Sequence, residues 1–152
     1  QRKLDRADPA LLDQIIREVT ESCVKLGYID DEAFIRSQFR QGLRSGLSQR
    51  RILLKLAQRG IGRDLAEAVM DKQTSRAADK KDNELAAALI YARKKSVGPY
   101  SRAELHPEDS QRHLARLARN GFAFDVAKQV MALPSANAAD ELLDEIYPHQ
   151  LG

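Results

Sequence analysis

The stretch GYIDDEAFIRSQFRQGLRSGLSQRRILLKLAQRGIGRDLAEAVM, Gly27 to Met70, decides how the rest of the chain is read. It opens on three consecutive carboxylates, continues as two basic amphipathic segments, and closes on a Gly-Ile turn and a third short apolar-periodic run. Between Ala33 and Arg63 it holds eight basic residues and no acidic one, in a chain whose net charge is only +3. The positive charge is therefore concentrated, which bears on partners rather than on fold.

Phe34, Ile35, Phe39 and Leu43 recur at helical spacing and predict a helix over 31–45. Asp30, Asp31 and Glu32 suit its start, where carboxylates meet free amides and the positive end of the helix dipole. Arg36, Arg40 and Arg44 fall every fourth residue on the outer face. Ser48 reads as the N-cap of a helix over 48–59. There Ile52, Leu53 and Leu56 face inward, while Arg51, Lys55 and Arg59, with Arg50 beside them, form a second basic stripe. Gly60 ends this helix, and Ile61 packs back against it as the apolar partner of the cap. A helix over 63–71 follows, with Leu65, Ala66, Val69 and Met70 inward. The turns are short, so the three helices are expected to form one compact unit.

Upstream, Leu12, Ile15, Ile16, Val19, Cys23 and Leu26 predict an inward-facing stripe on a helix over 10–26, started by Pro9 and ended by Gly27. Downstream, the polar run 72–83 reads as an exposed helix end or linker. An amphipathic helix over 79–96 carries Leu85, Ala88, Leu89 and Ala92, and 96–107 is a loop. Helix 108–120 turns Leu114, Leu117 and Ala118 inward and Arg112, Arg116 and Arg119 outward, before Gly121-Phe122. A helix over 124–133 stops before Pro134, and the acidic piece Ala138–Tyr147 is expected to dock through Leu142, Leu143 and Ile146.

Two segments match at an offset of 61: Leu53, Leu56, Gly60, Ile61, Val69 and Met70 line up with Leu114, Leu117, Gly121, Phe122, Val130 and Met131. The first helix resembles the third helix of such a unit, Leu11, Ile15 and Ile16 matching Leu65, Val69 and Met70. The expected fold is all-α, built of tandem three-helix repeats in an elongated body with the first repeat truncated. Residues 1–26 would be the remainder of the first repeat, 27–71 the second, 72–133 the third, and 134–152 an acidic C-terminal extension.

Enzymatic signatures are missing: there is no phosphate-cradling glycine loop, no zinc-ligand spacing and no nucleophile–base constellation. His106, His113 and His149 have no evident partners. The chain is expected not to be an enzyme and to use no cofactor or metal. A single cysteine, Cys23, fits a reducing compartment, and no apolar run is long enough to span a membrane.

The run Leu26-Gly-Tyr-Ile-Asp-Asp-Glu-Ala-Phe34, with Arg50-Arg-Ile52, Leu56, Arg59-Gly-Ile61 and Leu117-Ala-Arg-Asn-Gly-Phe122, resembles the RecX family, modulators of the bacterial RecA recombinase. The resemblance implies tandem three-helix repeats. It also implies a cytoplasmic, monomeric regulator of DNA repair, recombination and the SOS response, bound along the groove of the recombinase–DNA filament. Such a protein reduces filament growth, ATP hydrolysis, strand exchange and stimulated repressor cleavage, and binds single- and double-stranded DNA more weakly. Gly27, Tyr28, Asp30, Asp31, Phe34, Gly60 and Gly121 carry the family signature in mainly structural roles. The basic faces, Arg36, Arg40, Arg44, Arg50, Arg51, Lys55, Arg59, Arg112, Arg116 and Arg119, are the expected contact. The alternative is a free-standing DNA-binding helical module or repressor. Arginine at fourth-residue spacing suits phosphate contact better than base readout.

Overall fold

The computed structural model describes residues 8–74 and 76–148; for residues 23–30 it describes the backbone alone. Seven α-helices make up the described chain: α1 (Pro9–Arg44), α2 (Gln49–Gln58), α3 (Arg63–Gln73), α4 (Ala77–Lys95), α5 (Pro107–Arg119), α6 (Phe124–Ala132) and α7 (Ala136–Ile146). A single 3-10 turn, Gly98–Tyr100, lies between α4 and α5. No strand occurs among the described residues, and the fold is all-α with three-helix repeats.

The first helix departs from expectation. Asp8 caps it by accepting from the Ala10 amide at 3.1 Å, Pro9 occupies its first position, and it then runs unbroken for 36 residues, about 54 Å at 1.5 Å per residue. The break expected at Gly27 does not occur. A glycine inside a helix costs only about 1 kcal/mol. Ending one helix and starting another would strand several amides and carbonyls, and no proline lies between Pro9 and Pro99 to force that. Asp31 and Glu32 consequently sit in mid-helix and cap nothing; Glu32 pairs with Arg36 at 3.6 Å, one turn on. The side chains of Cys23, Gly27, Tyr28 and Asp30 lie outside the described residues.

The two halves of α1 have different surroundings. Ile35, Phe39 and Leu43 are buried against α2, α3 and α4. By contrast Leu11, Leu12, Ile15, Ile16 and Val19 are all exposed, which corrects the inward stripe expected over 10–26. Every residue from Asp8 to Ser22 is exposed.

Within the first unit, α1, α2 and α3 contact one another and bury Ile52, Leu56, Ala66, Val69 and Met70. In the second, α6 packs on both α4 and α5, burying Leu117, Val126, Ala127 and Val130. Each fully buried Leu, Ile or Val contributes about 1.5–3 kcal/mol. Helix α4 joins the units. It is buried without interruption from Ala86 to Ile90 because α1 covers one side while α6 and α7 cover the others. Its alanines allow that close approach, and a stripe of only Leu85, Ala88, Leu89 and Ala92 understates it. The polar run 72–83 is no linker; most of it is the last turn of α3 and the first turns of α4.

Helix α7 docks as expected, with Leu143 buried and Leu142 and Ile146 packed on the core. Its contacts are also polar: Tyr100 Oη donates to Asp140 at 2.6 Å, and Tyr147 Oη donates to Asn83 at 2.7 Å. Burial, then the Asp140 carboxylate, push the Tyr100 phenol above its usual range.

Glu84 on α4 accepts from the first amide of α2, Gln49, at 3.1 Å. It thereby satisfies one of the free donors of that helix start. Burial raises its pKa above the ordinary 4.5 against the opposing pull of the amide. The native state therefore binds more protons than the unfolded chain just above that pH, and stability drains away as pH rises through this window. Glu84→Gln keeps the acceptor and removes the charge. Its melting temperature relative to the parent is expected to rise from pH 4 to pH 7; an advantage that shrinks toward neutral pH would contradict the assignment.

Candidate functional site

The start of α2 rests on the end of α5, and one buried hydroxyl joins them. Ser48 Oγ accepts from the Arg51 amide at 3.1 Å, as an N-cap should, and donates to the Asn120 carbonyl at 2.7 Å. Its side chain is wholly buried. Asn120 caps the other helix and spreads its amide over three partners: Nδ2 donates to Tyr91 Oη at 2.7 Å and to the Arg116 carbonyl at 2.8 Å, and Oδ1 accepts from Arg51 Nη1. The positive end of the α2 dipole thus meets the negative end of α5, a favourable arrangement.

Gly121 makes this approach possible. Its φ is +90°, and a Cβ there would lie 2.5 Å from Ser48 Oγ and 3.4 Å from Arg50 Cβ. Its repeat counterpart Gly60 has nearly the same φ, +82°, yet a Cβ there would meet nothing within 4 Å. The two turns are alike in backbone and differ in what they face.

The junction brings two basic helix ends into one surface. A groove of about 1070 Å³ runs between α2 and α5, lined by Arg50, Arg51, Arg63 and Arg119 around Leu53, Leu54, Ala57 and Ala118. A second concavity shares Arg51, Arg119 and Asn120 with it and adds Arg112, Arg116 and His113. Among the described residues no carboxylate lies within 4.0 Å of Arg50, Arg51, Arg116 or Arg119, whereas Arg63 pairs with Glu67 at 2.8 Å and Arg112 approaches Asp109 at 3.8 Å. Clustered, exposed and mostly unpaired guanidinium groups hold a positive potential over the whole face. Guanidinium forks match phosphate and carboxylate equally well.

The remaining expected contact residues do not join this face. Lys55 and Arg59 line a separate recess beside Phe34 and Gln38, and the Arg59 guanidinium lies 5.2 Å from the Phe34 ring centroid. Arg36, Arg40 and Arg44 are on α1 and border neither concavity of the α2–α5 face. The stripe on α2 is thus split: its first turn looks to α5 and its last turn to α1. Phe34 is half-buried, and Asp31 is exposed. Of the histidines within the described residues, His113 bonds through its ring and His106 through its backbone. His113 Nδ1 accepts from the Gly98 amide at 2.9 Å, and the His106 amide donates to Asp109 at 3.3 Å at the start of α5; His149 lies outside the described residues.

Sequence reasoning passed over Asn120, Leu54 and Arg63. An Asn before a glycine that ends a helix is a usable capping signal, but its bond to Ser48, 72 residues away, leaves no local trace.

Comparisons with known proteins bear on the same region. Residues 30–70 match the family model described as RecX, second three-helix domain. Over 133 residues the chain is 35% identical to the Regulatory protein RecX of Agrobacterium fabrum, covering 85% of this chain and 67% of that protein. Over 117 residues it is 35% identical to the Regulatory protein RecX of Myxococcus xanthus, covering 76% and 60% respectively. No solved structure matches the chain.

The two glycine turns separate strain from contact. Left-handed backbone strain alone costs a non-glycine residue about 1–2 kcal/mol, so Gly60→Ala is expected to lose that much in urea denaturation. Gly121→Ala must also displace Ser48 and is expected to lose about 3 kcal/mol or more; equal losses would mean that the close approach does not matter. Ser48→Ala removes a cap and leaves a buried carbonyl short of its donor, an expected loss of about 1–3 kcal/mol in the same assay.

Proposed function

The chain belongs to the RecX family, and from that premise we propose that it is a non-enzymatic regulator of a RecA-type recombinase. It binds the recombinase–DNA filament through the basic face shared by α2 and α5. By occupying the filament it limits growth, and with growth it limits ATP hydrolysis, strand exchange and the coprotease function. The working unit is a cytoplasmic monomer in which two three-helix modules, 27–71 and 72–133, act together, with 134–152 as an acidic extension.

The observation that carries this reading is the joining of Arg50, Arg51, Arg112, Arg116 and Arg119, drawn from two repeats, into one surface with few internal carboxylate partners. A filament presents repeated anionic groups along its axis, DNA phosphates and protein carboxylates alike. A face assembled from two repeats can engage several of them at once, and simultaneous engagement multiplies weak contacts. Binding to bare DNA by the same arginines is weaker and falls steeply with salt as counterions are released. Sequence-selective binding to naked duplex would instead favour a free-standing DNA-binding module.

Charge reversal tests the surface. Arg50→Glu, Arg116→Glu and Arg119→Glu together alter exposed side chains that take no part in the Ser48–Asn120 contact. The triple variant is expected to bind single-stranded DNA coated with recombinase and a slowly hydrolysed ATP analogue at least about tenfold more weakly, a change worth roughly 1.4 kcal/mol, while its melting temperature falls by only a few degrees because two carboxylates now meet the negative end of α5. Reversal of Arg36, Arg40 and Arg44 is expected to have a much smaller effect. Equal effects of the two triples would remove the α2–α5 face from the account.

A further inference from the structure

The lining of the α2–α5 groove is partly apolar, which a purely electrostatic surface does not require. Leu54, 60% exposed, lines it together with exposed Ala57 on α2 and exposed Ala118 on α5. A lone exposed leucine is ordinary. This one lines the same groove as Arg50, Arg51 and Arg119, none of which has a carboxylate partner among the described residues; Arg51 bonds only the Asn120 side-chain oxygen. The repeat does not demand it: at the offset of 61 the equivalent of Leu54 is Ala115, while Arg51 keeps its charge as Arg112.

The groove lacks what a single strand of nucleic acid would use. No aromatic side chain lines it. Tyr91 is engaged with Asn120, and Phe122 is buried. Bases therefore have no stacking platform, and a phosphate laid along the groove would cross Leu54 without a donor.

We propose that this groove receives an acidic amphipathic segment of a protein partner. The segment's apolar side chains cover Leu54, Ala57 and Ala118, and its carboxylates pair with Arg50, Arg51 and Arg119. Helix α2 is ten residues, about 15 Å long at 1.5 Å per residue, so two to three turns of a partner helix fill it. The proposal rests on the reading above that this face is the contact surface, and names protein carboxylate rather than nucleic-acid phosphate as what the groove holds. The neighbouring concavity around Arg112 and Arg116 has no such apolar lining residue and remains available to phosphate.

Three labelled probes distinguish the occupants by fluorescence anisotropy on the full chain: a 14-residue peptide of Glu and Leu with leucines on one helical face, the same peptide with every Leu replaced by Ser, and an oligo-dT of twenty nucleotides. The Glu–Leu peptide is expected to bind about fivefold or more tighter than the Glu–Ser peptide. Leu54→Ser changes an exposed residue, and its unchanged melting temperature is checked first. It is expected to weaken the Glu–Leu peptide about fivefold or more and leave oligo-dT within about twofold. Equal affinity of the two peptides, an unmoved Glu–Leu peptide, or a matching loss for oligo-dT would each overturn the proposal. The arginine triple on the recombinase-coated strand, set beside Leu54→Ser on the peptide, separates the two readings. If Leu54→Ser leaves the peptide unmoved while the arginine triple releases the filament, the groove assignment falls and the filament reading stands. If the peptide depends on Leu54 while the arginine triple leaves filament binding intact, the filament reading falls and the groove keeps its peptide.

Discussion

The hydroxyl of Ser48 holds the second helix to the fifth. It accepts from the first turn of α2 and donates to the carbonyl of Asn120, the residue that caps α5, so one buried atom satisfies groups at two helix ends. Around it Asn120 ties Tyr91 of α4 and the guanidinium of Arg51 into the same contact. Because each partner is fixed by the others, the angle at which α2 meets α5 has little room to vary. The basic face inherits that angle. Arg51 is held against Asn120 rather than left on a mobile stem, and Arg119 follows from the helix end that Asn120 caps.

Behind this contact, α4 acts as the shared wall of both units. Its run of alanines, Ala86 to Ala88, lets α1, α6 and α7 approach from different sides. Gly46, with φ +85°, would place a Cβ 2.8 Å from the Tyr91 amide, so the exit of α1 is pressed against the helix that carries the Asn120 partner. Stability of the core and orientation of the basic face are therefore linked through Tyr91: it packs against Phe122 with ring centroids 5.8 Å apart and bonds Asn120 with its hydroxyl. Apolar packing and polar capping converge on one side chain.

Most of this architecture can be read from local pattern. The cap at Ser48, the turns at Gly60 and Gly121 and the apolar faces of α2, α3, α5, α6 and α7 all have short-range causes, and the repeat at an offset of 61 follows from them. What escapes is non-local or a matter of degree. Gly27 and the Asp30–Glu32 run carry every mark of a helix boundary, yet helix continuity outweighs them because a single glycine is a weak breaker. Alanines on all faces of α4 look neutral until neighbours are known. The fourth-residue spacing of Arg51, Lys55 and Arg59 suggests one stripe. But α2 is wedged between two different helices, and a drift of about 40° per four residues at 3.6 residues per turn is enough to hand its ends to different neighbours. The pairing of Ser48 with Asn120 joins two repeats and has no sequence signature at all.

The central claim is that this junction makes the basic ends of α2 and α5 one rigid surface. A distance distribution between nitroxide labels on Gln58 and Gln111, both exposed, tests it directly by pulsed electron resonance in a Cys23→Ser background. A single narrow distribution that broadens in Ser48→Ala and again in Asn120→Ala is the expected result. A distribution already broad in the parent chain, or one that neither substitution alters, would mean that the two helices are not held by this contact and that the basic face is not a fixed surface.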